Sequence, residues 1–150
     1  RADARRHVVC CDTSFLFSLY GRDSHTDRAL ALVTRLSAPL TLTLLNDYEL
    51  RNAVRFGVFR RVLDATAGAE ILAAFDSDLA NGRLVLNPAN LTLVVNEAKR
   101  LSAAHTAIAG HRSFDILHVA AASHLSADRF LSFDANQRSL AQAAGLKTMP

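Results

Sequence analysis

With 150 residues, half of them hydrophobic and about a fifth charged, the chain has the length and composition of one globular domain, which argues against wholesale disorder and against two full domains. Its 17 basic and 14 acidic residues leave a formal net charge of +3, compatible with a polyanionic partner but too mild to demand one. No apolar run approaches the roughly 18 to 20 residues that span a bilayer, so no membrane association is expected.

In chain order, Arg1 to His7 is basic, lacks the apolar core of a signal peptide and reads as a flexible N-terminal segment of a single domain spanning 1–150. The missing initiator Met points to a processed or trimmed start. A first strand covers Val8 to Cys11. Cys10 and Cys11 are adjacent and in a strand point to opposite faces, so they are expected as separate core thiols in a reducing, cytoplasmic compartment rather than as a disulfide. Helices are predicted at Thr13 to Tyr20 and Ser24 to Ser37, and a strand at Leu40 to Leu44. Helices at Asn46 to Leu63 and Ala67 to Asn81 follow, then a strand at Arg83 to Leu86. Helices at Asn90 to Ala109 and Ser113 to Ser126 precede a strand at Arg129 to Phe133. The chain closes with a helix at Ala135 to Ala144 and a weaker strand at Leu146 to Thr148. Strands alternating with helices imply an α/β fold, a parallel sheet covered on both faces, whose ligands bind beyond the carboxyl ends of the strands.

Polar residues just after strands therefore carry the functional information. Asp12 follows the first strand where the chain turns into a helix, and helix capping explains it locally. Glu49 lies on the helix after the second strand, on a stripe shared with Ala53 and Phe56, where pairing with Arg51 or Arg55 is the local alternative. Asp115 stands in the first turn of a helix apolar almost all round, and such helices are buried; an isolated carboxylate taken out of water needs a compensating cation. Asp134 closes the fourth strand, again as a candidate cap. Taken together, the four form an acidic cluster at one edge. Crowded carboxylates stay ionised only beside a cation, and all-oxygen ligation suits a hard ion, Mg²⁺ or Mn²⁺, and hence a phosphate-ester substrate. His118, beside an apolar stripe, reads as a hydrogen-bonded core residue rather than a ligand or proton shuttle.

These residues resemble the PIN-domain family. The resemblance is carried by an apolar strand ending in Asp12-Thr13-Ser14-Phe15-Leu16, by Glu49-Leu50-Arg51-Asn52-Ala53, by Phe114-Asp115-Ile116-Leu117-His118 and by Phe130-Leu131-Ser132-Phe133-Asp134, in that order. It implies a three-layer α/β/α sandwich around a parallel sheet of five strands, an acidic pocket holding Mg²⁺ or Mn²⁺, and endonucleolytic cleavage of RNA by a stand-alone toxin of the VapC type. By the same resemblance Asp12, Glu49, Asp115 and Asp134 are metal ligands and catalytic residues, with the hydroxyls of Thr13, Ser14 and Ser132 supporting the pocket. It further implies a small antitoxin protein as partner and a homodimer. Serine stands at 132 where relatives often carry threonine, and the role of Asn136 is left open.

Hydrolysis by a metal-activated water follows, with Arg51, Arg55 and Arg112 as candidate phosphate contacts at the rim. A DNA-directed flap-type nuclease shares such a crevice but generally carries more carboxylates. A haloacid-dehalogenase-type phosphatase wants a second Asp where Ser14 stands. A PIN-like scaffold that binds RNA or protein without turnover is the alternative of a different class.

Overall fold

The computed structural model describes residues 7–150. The expected basic arm, apart from His7, lies outside the described residues. Five strands, β1 (Val9–Cys11), β2 (Leu40–Leu42), β3 (Leu84–Leu86), β4 (Arg129–Leu131) and β5 (Thr148–Met149), form one sheet in the order β3-β2-β1-β4-β5, with every pair parallel. Seven helices connect them: α1 (Thr13–Tyr20), α2 (Thr26–Thr34), α3 (Leu44–Phe59), α4 (Ala65–Ala80), α5 (Leu91–Ala109), α6 (Ser113–His124) and α7 (Ala135–Ala143). The three-layer α/β/α arrangement is the one expected.

Alternation along each strand feeds two separate cores. Val9, Cys11, Leu40, Leu42 and Leu131 pack with Phe15 and Leu16 of α1, Leu50 and Val54 of α3, and Phe75 of α4. Cys10 and Phe130 face the other way, against Val94 and Leu101 of α5, Val119 to Ala122 of α6 and Leu140 of α7. The two cysteines are free, buried and on opposite faces, as their adjacency predicts.

Differences from the sequence reading fall at element ends and have local causes. Leu44 is not the end of β2 but the first residue of α3, because Thr43 is the N-cap and Asn46 returns a bond to its backbone N–H, closing a capping box. α4 begins two residues before the predicted Ala67, because the Asp64 side chain accepts from the Ala67 N–H. β4 stops at Leu131, two residues short of the expectation, and releases Ser132 and Phe133 into the loop that builds the site. β5 is shifted to Thr148–Met149.

The chain winds from β1 outward through β2 to β3, then returns to place β4 on the other side of β1. The order therefore reverses between β1 and β4, and beyond the carboxyl ends of these two strands the connecting loops part to leave a crevice. Asp12 follows β1 and Ser132 follows β4, directly at that point.

Candidate active site

Asp12 is the N-cap of α1, and it is also the most enclosed acid of the edge, with 3% relative exposure. Its Oδ1 accepts from the Phe15 N–H at 2.8 Å and its Oδ2 from the Ser132 hydroxyl at 2.5 Å. Burial pushes its carboxyl above the ordinary range, and bonds from Ser132, the Phe15 N–H and Ser14 pull it back only in part. The Ser132 Oγ accepts in turn from the Asp134 N–H at 3.1 Å, so one hydroxyl ties the ends of β1 and β4 together. Asp134 caps α7 through the Gln137 N–H and is otherwise exposed to the crevice.

Glu49 has a different setting from the one its stripe suggests. Neither Arg51 nor Arg55 pairs with it; its Oε1 lies 3.3 Å from His118 Nε2. His118 is buried at the centre of a polar network. The Asn46 Oδ1 accepts from the Thr43 N–H, which leaves its Nδ2 to donate to the Cys11 carbonyl at 3.2 Å and to His118 Nδ1 at 3.3 Å. With Nδ1 accepting, the imidazole proton sits on Nε2 and is shared between Thr13 Oγ1, at 3.0 Å, and Glu49. Burial of Glu49 opposes its charge, but bonds from His118 and Thr13 and the nearby Arg112 outweigh it and hold the carboxyl below its usual range. His118 is thus the hydrogen-bonded core residue expected, and it orients an acid.

Asp115 corrects the argument that singled it out. Its side chain keeps 26% exposure and is not isolated, because Arg112 Nε donates to its Oδ2 at 2.9 Å. The Arg112 charge is felt by Asp134 and Glu49 as well, which places this guanidinium at the rim among three of the four acids. Arg51 and Arg55 do not reach the site. Arg51 is held by Asp47 and Asp76 and lies 5.3 Å over the Phe75 ring, while Arg55 stands with Val54, Val58 and Leu72 along the α3–α4 surface. Asn136 points away too, donating to the Ala109 carbonyl.

A cavity of about 550 Å³ opens in front of these groups. Thr13, Ser14, Glu49 and Asp134 line it, joined by Phe17, Ser18, Asp23, His25 and Phe133, which the sequence reading did not single out. Asn46 was missed as well, though the Thr-x-x-Asn spacing after a strand is a readable capping signal.

The donor set is all oxygen: the carboxylates of Glu49 and Asp134 and the hydroxyls of Thr13 and Ser14 line the cavity, while Asp12, buried against Ser132, and Asp115, paired with Arg112, are not among the lining residues. Among the described residues no three acid, His or Cys side chains are drawn close enough to cage an ion. Such an edge fits a hard cation that keeps several waters and takes one or two carboxylates plus substrate oxygens, the habit of Mg²⁺. It does not fit a closed zinc-type site.

Residues 9–143 match the profile of the PIN domain, and the chain belongs to that family. Solved structures share the fold. The sarcin-ricin loop cleaving toxin VapC20 of Mycobacterium tuberculosis superposes with a TM-score of 0.67 at 16% identity, covering 87% of this chain and 93% of its own. VapBC2 from Rickettsia felis, bound to a DNA fragment from its promoter, gives 0.65 at 12% identity, covering 95% and 97%. FitAcB from Neisseria gonorrhoeae gives 0.63 at 14%, covering 95% and 97%. No curated protein sequence matches the chain.

Proposed function

We propose that this protein is a divalent-metal-dependent endoribonuclease and the toxin of a VapBC-type pair. The observation that carries the reading is the cavity at the β1/β4 reversal, which Glu49 and Asp134 line, with Asp12 buried one residue before the lining Thr13. A carboxylate kept out of water with no cationic partner is costly unless a cation is part of the working site.

Glu49 and Asp134 would hold Mg²⁺ or Mn²⁺ with water-mediated help from Asp12, and a bound ion there supplies an acidified water and charge neutralisation at the phosphodiester. The chain's own residues do the rest. His118 and Thr13 fix the Glu49 carboxylate, Ser132 locks Asp12 to the β4 end, and Arg112 presents a guanidinium able to leave Asp115 for a phosphate oxygen. A small antitoxin as partner is supported by the fold shared with VapBC2 and by an apolar stripe on α3, where Leu44, Tyr48, Phe56 and Phe59 are exposed. Assembly as a homodimer and a cytoplasmic location belong to the same reading; among the described residues no helix is long and apolar enough to cross a membrane.

The test is cleavage of RNA and of single-stranded, double-stranded and branched DNA by the purified protein with Mg²⁺, with Mn²⁺ and with chelator. Cleavage of RNA that chelator stops and that Asp115→Ala impairs is the expected result. Cleavage of branched DNA alone transfers the protein to the flap-type class, and RNA binding without turnover makes it a scaffold.

A further inference from the structure

We infer that the cavity beside the carboxylates seats one unpaired nucleobase of the RNA, stacked on the imidazole of His25. This rests on the ribonuclease reading and adds to it how the strand is held.

Three rings form a column from the core to the cavity. Phe15, fully buried, stacks on Phe133 with centroids 5.3 Å apart and planes at 21°. Phe133 stacks on His25 at 4.5 Å and 8°, nearly parallel. His25 ends the column: it lines the cavity, is partly exposed, and its ring nitrogens make no hydrogen bond among the described residues. Its backbone is pinned, since its N–H donates to Asp23 Oδ1 at 2.8 Å, Asp23 Oδ2 accepts from the Ser18 hydroxyl at 2.7 Å, and Thr26 Oγ1 donates to the Ser18 carbonyl at 2.7 Å. A flat ring held in a fixed plane at the mouth of a pocket is the platform on which single-stranded bases stack.

The lining selects the base rather than the phosphate. Among the described residues no lysine or arginine lines the cavity; with Glu49 and Asp134 given to the ion, Thr13, Ser14, Ser18 and the Asp23 carboxylate are left to meet a base edge. Carboxylates repel a phosphate but accept from the amino and imino N–H groups on a base edge. Phe17, Phe133 and Ala53 supply the apolar walls. Glu49 and Asp134 line this same cavity, so a base seated on His25 brings its own backbone phosphate to the acidic edge.

The test uses the intact protein and a mixed-sequence oligoribonucleotide whose cleavage position has been mapped, with an abasic nucleotide placed in turn beside the scissile bond. Stacking on one aromatic group corresponds to about 5- to 150-fold in affinity. His25→Ala should raise KM by about tenfold or more with kcat little changed, and His25→Phe should restore it. One abasic position should cost the wild type a similar factor and cost His25→Ala nothing further, because both remove the same contact. If the wild type cleaves RNA and His25→Ala keeps the wild-type KM, or if the two losses multiply, this inference falls and the ribonuclease reading stands. If His25→Ala weakens only inhibition by a partner protein, the cavity is a protein site and the base is excluded from it. If the wild type cleaves no RNA with either ion, both readings fall.

Discussion

The two ends of the sheet hold their polar groups in opposite ways. At the carboxyl end Asp12, Thr13, Thr43, Asn46, His118 and Ser132 are all buried and hydrogen-bonded, Asp12 to Ser132, and Thr43 through Asn46 and His118 to Thr13. At the amino end the Val8 N–H donates to Asp128, and His7 stands 3.6 Å from the same carboxylate, with side chains 66% and 49% exposed. One sheet carries both ends, so a solvated hydrogen bond suffices to finish a strand. The enclosed polarity at the other end caps α1 and α3, but the burial of the Asp12 carboxylate and of His118 goes beyond what capping needs, and the proposed function accounts for it.

The sharpest way to break this comparison is Asp12→Asn. Under the proposed function Asp12 helps hold the ion, and loss of such a group removes several kcal/mol of charge stabilisation, so RNA cleavage should fall by about a thousandfold or more. Thermal unfolding of the metal-free protein should move the other way. The folded Asp12 carboxyl titrates above its unfolded value, so the ionised form is a burden at neutral pH, and the folded state takes up protons, gaining stability as pH falls through that raised value. Asp12→Asn should therefore melt higher than wild type at neutral pH, the gap closing in acid. A variant that melts lower at neutral pH would show that the carboxylate stabilises the fold and would sink the argument.

His118→Ala comes next. It strands Asn46 Nδ2 and frees Glu49, and should cost about 2–4 kcal/mol of stability in chemical denaturation. Under the proposed function His118 orients a carboxylate that holds the ion, so its loss should also lower activity by about 10- to 100-fold. The smallest effect belongs to the amino end. Asp128→Ala should shift stability by less than about 1 kcal/mol and leave cleavage unchanged; an activity loss there would mean that the two ends are coupled.

Much of this asymmetry was legible in the sequence, for reasons particular residues make plain. Asp12 and Asp134 follow apolar β-rich runs directly, and the α/β alternation assigns such positions to one edge. Cys10 and Cys11 announced two faces because strand periodicity is two. What failed was pairing across space. Arg51 is two residues from Glu49 in sequence yet on another face of α3, where Asp76, 25 positions away, claims it. His118 and Asn46 meet at a separation of 72 residues, and Phe133 reads as a strand residue until β4 is seen to stop at Leu131. Those contacts depend on packing angles that no local pattern encodes.

The Ser132 to Asp12 bond spans 120 positions, nearly the length of the chain. A nascent polypeptide emerges with Asp12 ahead of Ser132 by 120 positions, so the β4 side of the crevice is missing until that stretch has been made. Closing so long a loop is also a late, entropically expensive event in refolding. Under the proposed function, a chain truncated before Ser132 would carry Asp12 and Glu49 without the β4 side of the crevice and should be inactive.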